Sequence, residues 1–235
     1  MKTQPETERG RALLLNWNAL GDALLIITVL VVVKQFFLLY TIKYAGPAST
    51  FTAMIFATYR LRTSGLSWRD LGFVKPEKLP KTLLLSVSVF MAILVAGALG
   101  SFVADLFFDK GYVADRFGDI KGNVPMFALW LALIWTHGSF FEEMLFRAFL
   151  INRFQGFMGN SMASMLISVV LSALFFGYRH AYYQGPYGFV VTGAIGLMLG
   201  GIYVWFGKKN LLPQILAHGA MNTLGFTLRF LGLRG

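Results

Sequence analysis

Residues 82–107 read TLLLSVSVFMAILVAGALGSFVADLF, with no charged side chain before Asp105. A helix needs about 20 consecutive apolar residues to cross the ~30 Å hydrocarbon layer of a bilayer. This run is long enough, and the chain repeats the pattern on both sides of it. Toward the N-terminus lie runs 13–42, interrupted by Asp22 and Lys34, and 48–59, which is short and extendable. Toward the C-terminus lie 124–151, 161–178, 187–206 and 211–231. The pattern predicts an all-α fold, a polytopic transmembrane helical bundle of about seven spans. Six or eight remain open because run 48–59 is marginal. Residues 1–235 form a single membrane-embedded domain on this reading.

Composition agrees. Of 235 residues, 56% are hydrophobic and 14% charged, whereas a soluble domain has about 25% charged residues. That apolar content excludes disorder. The absence of cysteine excludes a disulfide scaffold and a thiolate metal site. A net charge of +10 does not point to nucleic acid here, because the cations sit in short gaps between apolar runs, where anionic lipid and the positive-inside rule place them. The mixed-charge leader (Lys2, Glu6, Glu8, Arg9, Arg11) lacks a small-x-small cleavage site, so the first run is expected to be a retained span. Pro47, Pro76, Pro80, Pro125, Pro186 and Pro213 are expected at or between span ends, where a missing N–H costs little.

Two gaps are long. Residues 60–81 carry Arg60, Arg62, Arg69, Lys75, Lys78 and Lys81 against Asp70 and Glu77. Inside this gap Ser67-Trp68-Arg69-Asp70 resembles a capping box, and Trp68, Leu71 and Phe73 suit the membrane interface. Residues 105–121 are mixed in charge and read as a loop or short interfacial helix on the opposite side. With seven spans, Lys and Arg concentrate on the side holding the N-terminus, residues 60–81, Arg153 and Lys208–Lys209. That places the N-terminus in the cytoplasm and the C-terminus outside. A multi-pass protein of a prokaryotic plasma membrane is expected from the compact size.

An ionisable side chain inside a bilayer costs about 2.5–3.5 kcal/mol on insertion scales, so each one calls for a reason. Three clusters stand out. Glu142 and Glu143 are adjacent and point about 100° apart on a helix. Glu143 precedes Arg147 by four residues, the favoured order for an intrahelical pair, which leaves Glu142 facing elsewhere. One neutralised carboxylate beside one free carboxylate suggests a supporting and a chemical role; pairing of both with cations on other helices is the alternative. Phe176-Gly177-Tyr178-Arg179-His180 ends the fifth run. His218 and Asn222, four residues apart in the seventh, share a face. Either histidine alone reads as readily as hydrogen-bonded packing. Together the groups suit water activation: a desolvated carboxylate as general base, an imidazole to relay the proton, and an amide with a second imidazole to stabilise an oxyanion.

Glu142-Glu143-x-x-x-Arg147, Phe176-x-x-x-His180 and His218-x-x-x-Asn222 together resemble the three motifs of the CAAX-protease and bacteriocin-processing (CPBP, Abi) intramembrane endopeptidases. Asp70-Leu71-Gly72-Phe73 is also similar. The motifs cover residues 142–222, within a catalytic core at 124–231. The resemblance implies that Glu142 activates water with His180 beside it, that Glu143 and Arg147 orient the site, and that His218 and Asn222 bind the oxyanion. It implies a protein or peptide substrate, lipidated or not, cut within the membrane, with lipid and a membrane-protein partner as further contacts. No cofactor is required on this reading. The alternative is Zn²⁺ held by Glu142, His180 and His218, although no H-E-x-x-H pair is present. A catalytically silent scaffold or assembly partner of the same fold is the runner-up, and a transporter stands third.

Ala148 stands where many members carry glycine. Arg179, directly before His180, puts a charge near the active centre, or instead reaches the interface or a substrate carboxylate. His137, five residues before Glu142, lies ~140° away on an α-helix and is expected outside the cluster. Gly193, Gly196, Gly200 and Gly201 form a small-residue stripe suited to close helix packing, with a substrate groove as the alternative. Depth poses a difficulty. At 1.5 Å per residue, Glu142 lies ~16 Å from Arg153 and His218 ~14 Å from Lys209, both near mid-membrane. A run ending at Tyr178 leaves His180 nearer the other side, unless that run is displaced or tilted or the membrane is thin.

Overall fold

The computed structural model describes residues 16–109 and 116–233. The expected contributions of Lys2, Arg9, Arg11, Lys110 and Arg234, and the start of the first run at Leu13, lie outside them. All regular structure among the described residues is helical: α1 (Trp17–Leu38), α2 (Ile42–Thr63), α3 (Leu79–Asp105), α4 (Val124–Met158), α5 (Met162–Trp205) and α6 (Leu212–Phe230), plus a 3-10 turn at Gly118–Ile120. Four of them, α1, α3, α4 and α5, are long and apolar enough to cross a membrane.

Polar residues set the helix starts. Asn16 accepts from the Ala19 amide to cap α1, Thr41 from Lys43 to cap α2, Asn123 from Met126 for α4, and Ser161 from Ser164 for α5. Each takes up one of the four N–H groups that a helix leaves unpaired at its start. The first expected run divides at residues 39–41, where α1 stops and Thr41 starts α2. The second run extends in both directions, to Ile42 and Thr63. Pro47 therefore lies inside α2 rather than at its end. The box-like Ser67–Asp70 pair caps a turn instead of a helix: Asp70 accepts from the Ser67 amide and hydroxyl, both at 2.7 Å.

Helix α5 holds two expected runs. At Gly185 (φ 65°, ψ −168°) the chain reverses and returns alongside itself. A Cβ on Gly177 would lie 2.6 Å from the Phe189 carbonyl oxygen, and one on Gly196 would lie 3.2 Å from the Ala173 Cα. The limbs 162–184 and 186–205 thus pack backbone to backbone, and Gly196 and Gly200 of the stripe line that contact. Counting the two limbs separately, seven helical segments answer the seven apolar runs.

Burial is inverted relative to a soluble protein. Leu83, Leu84, Val87, Met91, Val95, Leu99 and Phe102 of α3 are exposed, while Asp22, Lys34, Glu143, Arg147 and Arg179 are buried. An apolar outer face with polar groups inward is what a bilayer requires. One core joins α1, α2, α4, the first limb of α5 and the start of α6. A smaller one joins α3, the second limb and α6 through Val89, Ile93, Leu199 and Ala217.

Ion pairs mark the two ends of the bundle. At one end Asp22 of α1 accepts from Arg60 of α2 at 2.6 Å and lies 3.2 Å from Arg153 of α4. The 67–73 turn docks at this end too: Tyr203 donates to the Leu71 carbonyl, and the Leu211 amide donates to that of Gly72. At the other end are the Gly185 reversal, Lys43 paired with Asp119 at 2.7 Å, and Arg116 against the rings of Tyr182 and Tyr183.

Candidate active site

The middle of α4 departs from α-helical winding. Residues 136–141 and 143–150 form π-helix, and the Glu142 amide donates to the His137 carbonyl five residues back. Side chains hold this winding in place. Ser139 Oγ donates to the Ile134 carbonyl at 2.7 Å, and Asn222 Nδ2 of α6 donates to that of Gly138 at 2.8 Å. Trp135 Nε1 also donates to Thr223 at 3.1 Å. Short π segments inside α-helices often accompany functional sites.

The winding brings residues five apart onto one face. His137, buried in the same π stretch, therefore lies about one turn from Glu142. The ~140° separation expected on an α-helix is reduced by the change in pitch.

Glu143 is fully buried. Its Oε1 accepts from His218 Nδ1 at 2.8 Å and lies 3.2 Å from Arg147. The Arg147 guanidinium stacks 4.3 Å from the Phe176 ring centre. That ring in turn lies 4.6 Å from the His180 ring and 6.2 Å from His218. Phe176 thus joins all three motifs: α4 supplies Arg147, α5 supplies His180 and α6 supplies His218.

The hydrogen bonds fix tautomers. A carbonyl only accepts, so His180 Nδ1, 2.8 Å from the Phe176 carbonyl, carries a proton. His218 Nδ1 likewise donates to the Glu143 carboxylate. Both rings, when neutral, turn an Nε2 lone pair outward. Glu142 is placed differently from Glu143. It is 7% exposed against 0% for Glu143, and among the described residues nothing donates a hydrogen bond to it.

Arg179 reaches neither the interface nor open space. Its guanidinium donates to the Leu30 carbonyl at 2.7 Å, Ser49 Oγ at 3.0 Å and Thr50 Oγ1 at 3.1 Å. All three acceptors are neutral. The depth difficulty disappears because the first limb of α5 continues past Tyr178 to Gly185, which carries His180 within it. Among the described residues no group of three His, Asp or Glu side chains stands close enough to hold an ion. No step below passes through a metal.

A polytopic helical membrane protein with a carboxylate–imidazole centre enclosed by three helices is what fold and site define. Residues 124–224 match the family model described as Type II CAAX prenyl endopeptidase Rce1-like. That segment, somewhat under half of the chain, spans all three motifs, and over it the chain is similar to that family. No curated protein and no solved structure matches the chain.

Proposed function

We propose that the protein hydrolyses a peptide bond within the membrane with water activated by Glu142. The observation that carries this reading is the contrast between the two adjacent glutamates. Glu143 is tied to Arg147 and His218, while Glu142, next to it in the chain and also buried, has no donor among the described residues. A buried carboxylate left free of partners is poised to take a proton.

Glu142 draws a proton from a water whose oxygen attacks the scissile carbonyl carbon. His180 Nε2 shares that proton. The oxyanion is met by the second N–H of Asn222, whose first is held by Gly138, and by the Nε2–H of His218, which enters the cycle as an imidazolium already protonated from solvent and leaves it unchanged. Glu143 stabilises that imidazolium, as the carboxylate partner of a catalytic histidine does. Collapse of the intermediate breaks the C–N bond, and Glu142 returns the proton to the leaving amine. The products are a carboxylate and an amine.

The surplus of cations at the Asp22–Arg60–Arg153 end supports a cytoplasmic N-terminus. The test is cleavage of a peptide pool by the purified protein in nanodiscs, read by mass spectrometry, with and without chelator. Cleavage by wild type under both conditions and its loss in Glu142→Gln are expected. Loss with chelator would assign the chemistry to a metal, and cleavage retained by Glu142→Gln would overturn the glutamate mechanism.

A further inference from the structure

We infer that the outer groove between α2 and Phe141 of α4 binds one anionic phospholipid, with its phosphate on Arg62 and an acyl chain along the groove. Binding is read without cleavage, so the inference stands apart from the hydrolytic reading.

The groove is built on one stripe of α2. Phe51, Ile55, Thr58, Tyr59 and Arg62 recur at helical spacing and share a face, and Phe141 forms the floor. The cavity measures about 370 Å³. From Phe51 to Arg62 it runs about 16 Å, roughly half of the ~30 Å hydrocarbon layer, so it spans one leaflet. Arg62 lies in the last turn of α2, at headgroup level, and Phe51 lies near the mid-plane. A space of this volume drawn out over that length is one hydrocarbon chain wide. It is too narrow for a transmembrane helix, about 10–12 Å across with its side chains. The one hydroxyl in the wall between Phe51 and Thr58 is occupied. Thr58 donates to the Met54 carbonyl at 2.7 Å and accepts from Trp68 Nε1 at 3.0 Å. Only hydrocarbon fits there without stranding a polar group of its own.

Charge selects the headgroup. Arg62 is exposed, and among the described residues no acid pairs with it. Arg60 is held by Asp22, and Asp70 by Ser67. A guanidinium pairs with a phosphate through two parallel N–H groups, and Tyr59, three residues back, presents a hydroxyl on the same face. The segment leaving α2 adds Arg69, Lys75, Lys78 and Lys81 against only Asp70 and Glu77. That surplus repels an ammonium headgroup and favours one of net negative charge. At the deep end Phe141 meets Phe51 edge-on at 5.0 Å. Glu142 follows Phe141 in the chain, so the tip of the bound acyl chain abuts the π-wound part of α4.

The experiment uses the full chain purified in detergent, with bound lipid counted by native mass spectrometry. Dioleoyl phosphatidylglycerol, dioleoyl phosphatidylcholine and chain-free glycerol phosphate are added in turn. Phosphatidylglycerol is expected to be retained about tenfold better than phosphatidylcholine and to raise the unfolding temperature, and glycerol phosphate to do neither. Arg62→Gln should cut that preference about fivefold, the worth of one cation at an anionic surface, and Arg62→Lys should restore part of it. Ile55→Trp, at an exposed position, fills the groove and should lower retention of both lipids. Equal retention of the two lipids, or a preference that Arg62→Gln leaves intact, overturns the site. Binding of glycerol phosphate alone would show a free-anion site and overturn the lipid assignment. Displacement of phosphatidylglycerol by an equal concentration of a farnesylated peptide would give the groove to a lipidated peptide and overturn the phospholipid as its occupant.

Discussion

His218 Nδ1 of α6 and Glu143 Oε1 of α4 lie 2.8 Å apart, and the same oxygen lies 3.2 Å from Arg147. One buried carboxylate oxygen thus serves an ion pair within its helix and a hydrogen bond between helices. Removing one member of a buried ion pair strands the other charge, which costs about 3–5 kcal/mol. Glu143→Gln keeps an acceptor for His218 but strands Arg147. Arg147→Met strands Glu143. The double variant should be destabilised by less than the sum of the singles, with a coupling of about 1–3 kcal/mol in reversible SDS unfolding. Additive effects would mean that the pair contributes nothing as a pair.

Glu142 makes no such bond among the described residues, so its loss should spare stability and remove activity. Loss of a general base lowers kcat by about 10²–10⁴-fold. Glu142→Gln preserves shape and is expected to unfold at the wild-type SDS concentration while turnover falls by that factor. A variant that loses stability and activity together would place Glu142 among the structural carboxylates instead.

The motifs were legible because charge inside an apolar run has a cost that sequence exposes directly. Glu142, Glu143, Arg147, His180, His218 and Asn222 stood out for that reason, and the Glu143–Arg147 spacing already implied their pairing. What the sequence concealed depends on distant parts of the chain. Asp22 interrupts the first run without revealing Arg60 and Arg153 as its partners. Residues 39–41 contain neither glycine nor proline, so the break between α1 and α2 left no turn signature. The direction of His137 depends on winding, and the π pitch is held partly by Asn222 from another helix. The partners of Arg179 were hidden because its three acceptors, Leu30, Ser49 and Thr50, lie on α1 and α2. Gly185-Pro186 is a visible reversal signal, but only the backbone contacts of Gly177 and Gly196 show that the limbs lie side by side.

The turn at 67–73 should respond to acid. The hydroxyl and amide of Ser67 both donate to Asp70, and these bonds hold its carboxyl below the usual value of 3.8. A carboxyl depressed in the folded state contributes stability that is present above its unfolded pKa and lost as pH falls through its folded one. Protection of the Ser67 amide from hydrogen exchange is therefore expected to be constant above pH 5 and to decline below about pH 3.8. Asp70→Asn should flatten that dependence. An unchanged profile would show that docking of Leu71 and Gly72 on Tyr203 and Leu211, not the carboxylate, holds the turn.

The reversal in α5 offers a test of how packing positions the chemistry. A Cβ on Gly177 would meet the Phe189 carbonyl oxygen at 2.6 Å, a backbone atom that cannot rotate away. Gly201, on the returning limb, has nothing within 4 Å of its Cβ position. Alanine favours a helix over glycine by about 1 kcal/mol, so Gly201→Ala should be neutral or slightly stabilising. Gly177→Ala gains the same propensity but must push the limbs apart, and overpacking of this kind costs about 1–3 kcal/mol. The clash wins because the contact is backbone on backbone. Gly177 lies between Phe176 and His180, so separating the limbs also displaces the ring that joins Arg147, His180 and His218. Thermal unfolding and kcat are expected to fall together in Gly177→Ala and to hold in Gly201→Ala. Equal behaviour of the two variants would show that the limbs are not in close contact in the membrane.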